Sequence, residues 1–184
     1  MKKLLPLIIL AIICLASCRK ESSDIPRRYA YPRIELYDSA STTVDIGGII
    51  LDVNAATVRN EPRPGWLDVS YPRYGVTLHI AVNKFRSDGD FQEALANRRK
   101  RRELNFGATK ARTESFTNPD SFMCNITGDP GAGSAPIFFT ASRKHDILLS
   151  GAAVFSGNTV PTDSIYPIYN AVYGDVLNLL LSLR

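Results

Sequence analysis

The chain is predicted to be α+β: a single domain with a mostly antiparallel sheet packed by a central helix and a C-terminal helix. Three observations carry this. Val76, Leu78, Ile80 and Val82 alternate with Thr77, His79, Ala81 and Asn83, the period-two pattern of a half-buried strand. The last segment repeats apolar residues at helical spacing. The remaining apolar runs are separated by connections too short for helical crossovers, which favours antiparallel pairing.

In chain order, Arg33–Tyr37 is the first alternating, strand-like piece. Residues 46–53 form a second apolar stretch, in which Gly47 and Gly48 weaken any helical reading. Arg59–Gly65, with two prolines and a glycine, is a loop by composition. Trp66–Tyr71 and Val76–Asn83 are strands bracketing a turn marked by Pro72 and Gly75. A helix is expected over 88–105, capped by Asp88 or Asp90, with Phe91, Ala94 and Leu95 starting its apolar stripe and Gly107 marking its end or a kink. Ser121–Ile126, Ile137–Ser142 and Ile147–Phe155 are three further strands, separated by the glycine-rich segment 128–133 and the polar turn 143–146. The near-continuous apolarity of Ile147–Phe155 suits a central strand covered on both faces. The final helix is capped by Asp163 or Ser164 and has Pro167 in its first turn, where a missing N–H is tolerated. Its stripe comprises Ile165, Ile168, Tyr169, Val172, Tyr173, Val176, Leu179, Leu180 and Leu183, and packing on the sheet is its expected role.

The N-terminus carries a separate message. Lys2 and Lys3 precede an apolar run, Leu4–Ala16, too short for a comfortable membrane span of about 20 residues. Leu15-Ala16-Ser17-Cys18 closes that run and resembles the lipobox of bacterial lipoproteins, whereas Ile13 before Cys14 makes that cysteine a poor cleavage site. Residues 1–17 then form a signal peptide cut between Ser17 and Cys18. Cys18 is the lipidated residue, carrying a thioether-linked diacylglyceryl group and an acylated amine, and several chains give stable anchoring. Residues 18–28 are polar and proline-terminated, a tether, and 29–184 form the domain. Loss of Lys2 and Lys3 lowers the formal charge from +4 to +2, so no whole-protein argument for nucleic acid remains. Cys124 is left without a disulfide partner, and the core must hold the fold. Residues 19–24 lack a dense acidic run, which argues against surface display and for a domain facing the periplasm from either membrane.

Signs of reaction chemistry are sparse. His79 and His145 are far apart, no Cys/His cluster has zinc spacing, and no Gly-x-Ser-x-Gly elbow occurs. The glycines of 128–133 lack the lysine and following helix of a phosphate cradle. No catalytic residue, metal or cofactor is assigned. His79 is on the polar face of its strand, either an exposed or hydrogen-bonded histidine or a site residue beneath a helix. Trp66 is either a core anchor or an interface aromatic. Arg98-Arg99-Lys100-Arg101-Arg102 cannot share one helix face, since each step turns about 100°. Some of these stems must snorkel beside the apolar stripe. A solvated face is the ordinary reading of the run. Contact with anionic lipid or an acidic partner is the alternative that makes these five residues, with Trp66, candidate contact residues.

Several blocks, in order, resemble the GldD family of gliding-motility lipoproteins. They are the lipobox and tether, Arg33-Ile34-Glu35-Leu36, Trp66-Leu67-Asp68-Val69-Ser70-Tyr71-Pro72, Lys110-Ala111, Asn118-Pro119, Lys144–Phe155, and Asp163-Ser164-Ile165-Tyr166-Pro167. Asp146 replaces the family's phenylalanine, the helix is unusually arginine-rich, and 46–63 matches poorly, as in a distant member. The resemblance implies a non-catalytic envelope component or assembly factor of gliding motility and type IX secretion machinery. It would be held in the membrane through Cys18 and partnered by other envelope proteins. A periplasmic small-ligand-binding lipoprotein, with a pocket between sheet and helix, is the alternative.

Overall fold

The computed structural model describes residues 40–106, 111–128, 136–156 and 162–184, with side chains from 166 onward in the last segment. All of them belong to a unit spanning Pro32–Arg184. Ser17, Cys18, the tether and the strand expected at Arg33–Tyr37 lie outside the described residues. The described elements run β1 (Ser41–Ile46), β2 (Ile49–Asn54), β3 (Val58–Asn60), β4 (Trp66–Tyr71), β5 (Val76–Lys84), α1 (Asp88–Phe106), β6 (Arg112–Thr117), β7 (Met123–Gly128), β8 (Ile137–Arg143), β9 (Ile147–Phe155) and α2 (Thr162–Ser182). Seven strands form one sheet in the order β3-β4-β5-β9-β8-β7-β6, with every neighbouring pair antiparallel, and β1-β2 form a separate hairpin. This is the α+β, mostly antiparallel architecture expected, with a central and a C-terminal helix, and β9 is its middle strand.

Several local expectations need correction. The apolar stretch 46–53 is two strands, because Gly47 and Gly48 take φ of 59° and 80° and form a two-residue turn that β-branched residues would resist. Arg59 and Asn60, expected in a loop, pair with β4 as the short edge strand β3. Gly128, expected in a turn, is the last residue of β7, and that strand starts at Met123 because Ser121 adopts a positive φ of 64°. Strand β6 escaped notice because Arg112–Thr117 is polar on nearly every position, as an edge strand with little to bury can be. Pro167 lies in the second turn of α2 rather than the first.

Residues paired across the ladders share a face, so the register divides the sheet into two surfaces. One carries Leu67, Val69, Tyr71, Val76, Leu78, Ile80, Leu149, Ala153, Ile137, Phe139, Ala141, Cys124 and Ile126, all buried. Helix α2 covers it with Tyr169, Val172, Val176, Leu179 and Leu180, Leu183 just after the helix joins them, and the β1-β2 hairpin adds Ile46, Ile49, Leu51 and Val53. The expected stripe of α2 is therefore core, apart from half-buried Ile168 and Tyr173 and from Ile165, whose side chain is outside the described set. Cys124 is buried here and free, and burial pushes its thiol up to about 11. Gly151 is required in this layer: a Cβ there would run into the Phe139 ring and the His79 carbonyl oxygen.

Polar contacts fasten the C-terminal end of α2. Buried Asn118 donates Nδ2 to the carbonyls of Leu180 (3.2 Å) and Leu183 (2.8 Å) and accepts the Phe122 N–H (2.9 Å). It thereby supplies donors to carbonyls that the helix end leaves unpaired. Ile50 and Arg184 exchange both backbone hydrogen bonds at 3.0 Å, and the Arg184 guanidinium meets the Asp52 carboxylate at 3.2 and 3.3 Å. Arg184 is the main reason that the Asp52 carboxyl titrates below its ordinary range.

Asp175 ties α2 to the sheet and hairpin, accepting from Tyr71 Oη (2.9 Å) and Asn54 Nδ2 (3.2 Å). Burial raises its carboxyl above the ordinary 3.8, and the two hydrogen bonds act in the opposite sense. A raised native value means that the ionised form favours the unfolded chain. The stabilising share is thus present below the unfolded value and lost as pH rises through the native one. Asp175→Asn removes this titration. Its unfolding free energy, relative to the unmodified protein, should shift in the variant's favour as pH rises from about 3 to about 6. Urea midpoints across that range test this, and a pH-independent difference would contradict it.

Candidate functional site

The second face of the sheet is built differently. Three rows run across the strands. Asp68, His79, Ala152, Phe138 and Thr127 form one; Trp66, Ala81, Ser150, Thr140 and Asn125 the next; Asn83, Leu148, Ser142 and Met123 the third. The middle of this surface is small or hydroxylic, and it offers no apolar layer for a helix to sink into.

Helix α1 crosses this face on two aromatic supports. Phe91, at its start, is buried edge-on to Phe85 (5.7 Å between centroids) and to His145 (5.4 Å). Phe106, at its end, is buried edge-on to Phe138 (5.6 Å). Between these supports the sheet-facing positions are Leu95, Arg98 and Arg102, all half-buried. Large aromatics at both ends and small residues below the middle leave a cavity of about 370 Å³ between α1 and the sheet. Leu95, Arg98, Arg99, Arg101 and Arg102 roof it, while His79, Ala81, Ser142, Ser150, Thr140 and Ala152 are among its floor residues. The expected stripe of α1 is thus real at Phe91 and partial at Ala94 and Leu95, and arginines continue it.

The basic run divides as helical geometry requires. Arg98 and Arg102 turn inward with half-buried stems, whereas Arg99, Lys100 and Arg101 are exposed. Among the described residues, none of the five has a carboxylate within ion-pairing distance. Burial, and then repulsion from Arg101, pull Arg98 below the ordinary guanidinium value. Trp66 is half-buried at the boundary between this cavity and a shallower groove beside Asn97, Lys100 and Leu104. The Arg63 guanidinium lies 3.7 Å from its ring centroid, a cation–π contact. Trp66 is therefore a rim aromatic, and the structure brings it together with the arginines that the sequence singled out separately.

The histidines do not converge. His79 is exposed on the cavity floor with Nδ1 2.7 Å from Asp68 Oδ1. His145 occupies the β8-β9 turn, 3.6 Å from Asp88 and 3.4 Å from Gln92. Among the described residues, no hydroxyl or thiol hydrogen-bonds either ring, and no cluster of three His, Cys, Asp or Glu side chains could hold a metal ion. A His–carboxylate pair beside unpaired guanidinia is equipped to bind an anion and to donate hydrogen bonds to it. The floor residues Ser142, Ser150, Thr140 and Ala152 escaped notice in the sequence. The available signal was the run of small residues opposite the apolar positions of β5 and β9.

Holding Arg98 half-buried, with no carboxylate partner among the described residues, opposes folding. Arg98→Met keeps the packed stem and removes the charge, and should raise thermal stability by roughly 0.5–2 kcal/mol. A melting temperature at or below that of the unmodified protein would contradict this. No protein-family model and no curated protein matches the chain. Among solved structures it is similar to the Saccharomyces cerevisiae Ran-binding protein Mog1p, at 14% identity and a TM-score of 0.43, covering 79% of this chain and 95% of that one. A match of that strength transfers neither partner nor activity.

Proposed function

We propose that this chain is a lipid-anchored protein of the bacterial envelope that works by binding, as a non-catalytic component or assembly factor of gliding and type IX secretion machinery. The lipobox at Leu15–Cys18 and the ordered blocks resembling the GldD family support the compartment and the process. The observation that carries the binding role is the roof of the α1 cavity. Arg98, Arg99, Arg101 and Arg102 line it, Lys100 lines the adjoining groove, Trp66 borders both, and among the described residues none of the five cations has a carboxylate partner. Charges left unpaired in this way oppose compactness, and an acidic protein partner relieves them. The anchor at Cys18 would keep the domain near its membrane-bound partners. No helix among the described residues is long and apolar enough to cross a membrane.

A second reading, a periplasmic small-ligand-binding lipoprotein, is favoured by one specific observation: a partly open cavity lies between helix and sheet, with polar groups beside a mostly apolar lining.

Deleting the gene in its native bacterium tests the first reading. Complementation would use either the unmodified protein or a variant with Arg98, Arg99, Lys100, Arg101 and Arg102 all changed to Gln. Export of cargo bearing the type IX signal should fall in the deletion strain. The unmodified protein should restore it, and the five-Gln variant, present at normal abundance, should not. Normal export in the deletion strain would sink the proposal.

A further inference from the structure

We infer that the cavity beneath α1 is a binding site for a small amphipathic organic anion, its acidic head group held by Arg98 and Arg102 and its apolar body lying against Leu95, Ala81, Ala152 and Phe138. This rests on the small-ligand reading and names its ligand class.

Size comes first. At about 370 Å³ the cavity falls within the roughly 300–1,000 Å³ typical of small-molecule sites. Its walls are mixed in the manner such sites require, apolar over most of the surface with a few polar groups that fix orientation.

The head-group chemistry follows from the roof. Arg98 and Arg102, four residues apart, bring two guanidinia to the same side of the helix, with Arg101 close enough to repel Arg98. A planar fork of donors with no carboxylate partner among the described residues suits a carboxylate or a phosphate-type oxyanion. The floor adds an independent observation. Ser142 and Ser150 line the floor, and among the described residues neither hydroxyl has a hydrogen-bond partner, while both oxygens stay reachable from the cavity. These two open onto the cavity, where a bound anion can accept from them. Guanidinia above and hydroxyls below therefore address the same space.

The body chemistry follows from what lies between. Ala81 and Ala152 leave room in the floor, Leu95 and Phe138 supply apolar contact, and Trp66 stands at the rim. Inorganic phosphate alone would use the donors and leave this surface uncovered. An apolar molecule without charge would use the surface and leave the arginines unpaired.

Trp66 is the only tryptophan and reports on the site directly. The test uses the full lipidated protein in neutral phosphatidylcholine vesicles, titrated with 2-naphthoate while Trp66 emission is read. Saturable quenching is expected. An Arg–carboxylate contact corresponds to a tenfold or larger effect, so binding should be about tenfold tighter than for uncharged 2-naphthalenemethanol. It should weaken by about tenfold in Arg98→Gln/Arg102→Gln. Ala152→Leu, which fills the floor and leaves the charges in place, should weaken naphthoate by a similar factor while unfolding cooperatively. Equal binding of acid and alcohol would overturn the anion assignment and leave the pocket reading standing. Binding of inorganic phosphate as tight as naphthoate would overturn the amphipathic one. Unchanged affinity in folded Ala152→Leu would place the probe elsewhere and overturn the site. No saturable binding of any probe would remove the small-ligand reading together with the inference.

Discussion

Successive residues of a strand point to opposite sides, so a sheet whose alternate positions differ in character must be closed differently on its two faces. That constraint organises this protein. Val76, Leu78, Ile80 and their neighbours across five strands make one face wholly apolar, and it is sealed by α2 and the β1-β2 hairpin with core residues at or near zero exposure. Asp68, His79, Ser150, Thr140 and Asn125 make the other face polar and low. A helix laid on such a surface has little apolar area to bury between its ends, so α1 is held chiefly at Phe91 and Phe106.

The cavity follows from this inequality. Aromatic supports at both ends of α1 set its height above the sheet, and Ala81, Ser150 and Ala152 below are too small to fill the gap. Arg98 and Arg102 occupy positions where a structural helix would carry leucine. Local choices that work against stability tend to collect at sites kept for another purpose. The opposite face shows the contrast: Asn118, Asp175 and Arg184 each find partners that satisfy them, and α2 is fixed along its length.

Much of the fold could be read from local pattern. Strand β5, helix α2 and the central position of β9 follow from alternation, helical spacing and continuous apolarity, all strong signals because the elements are long and bury much surface. Strands β3 and β6 could not be read in this way. They are edge strands, β3 only three residues long and β6 almost wholly polar, defined by a partner's backbone rather than by their own composition. At the candidate site, the arginines and Trp66 stood out individually, but their meeting depends on the register Trp66↔Ala81↔Ser150 and on α1 crossing above it, which only tertiary structure supplies. The small floor residues had no conspicuous chemistry to announce them.

Helix α1 should be attached far less firmly than α2, because the face beneath it leaves space. Residue-resolved hydrogen exchange measures this directly, since local openings expose amides at free energies below that of global unfolding. Amides over 94–102 of α1 should open at least about 2 kcal/mol more easily than those of β5, β9 and the middle of α2. Equal protection of the two helices, with both opening only in global unfolding, would contradict the account.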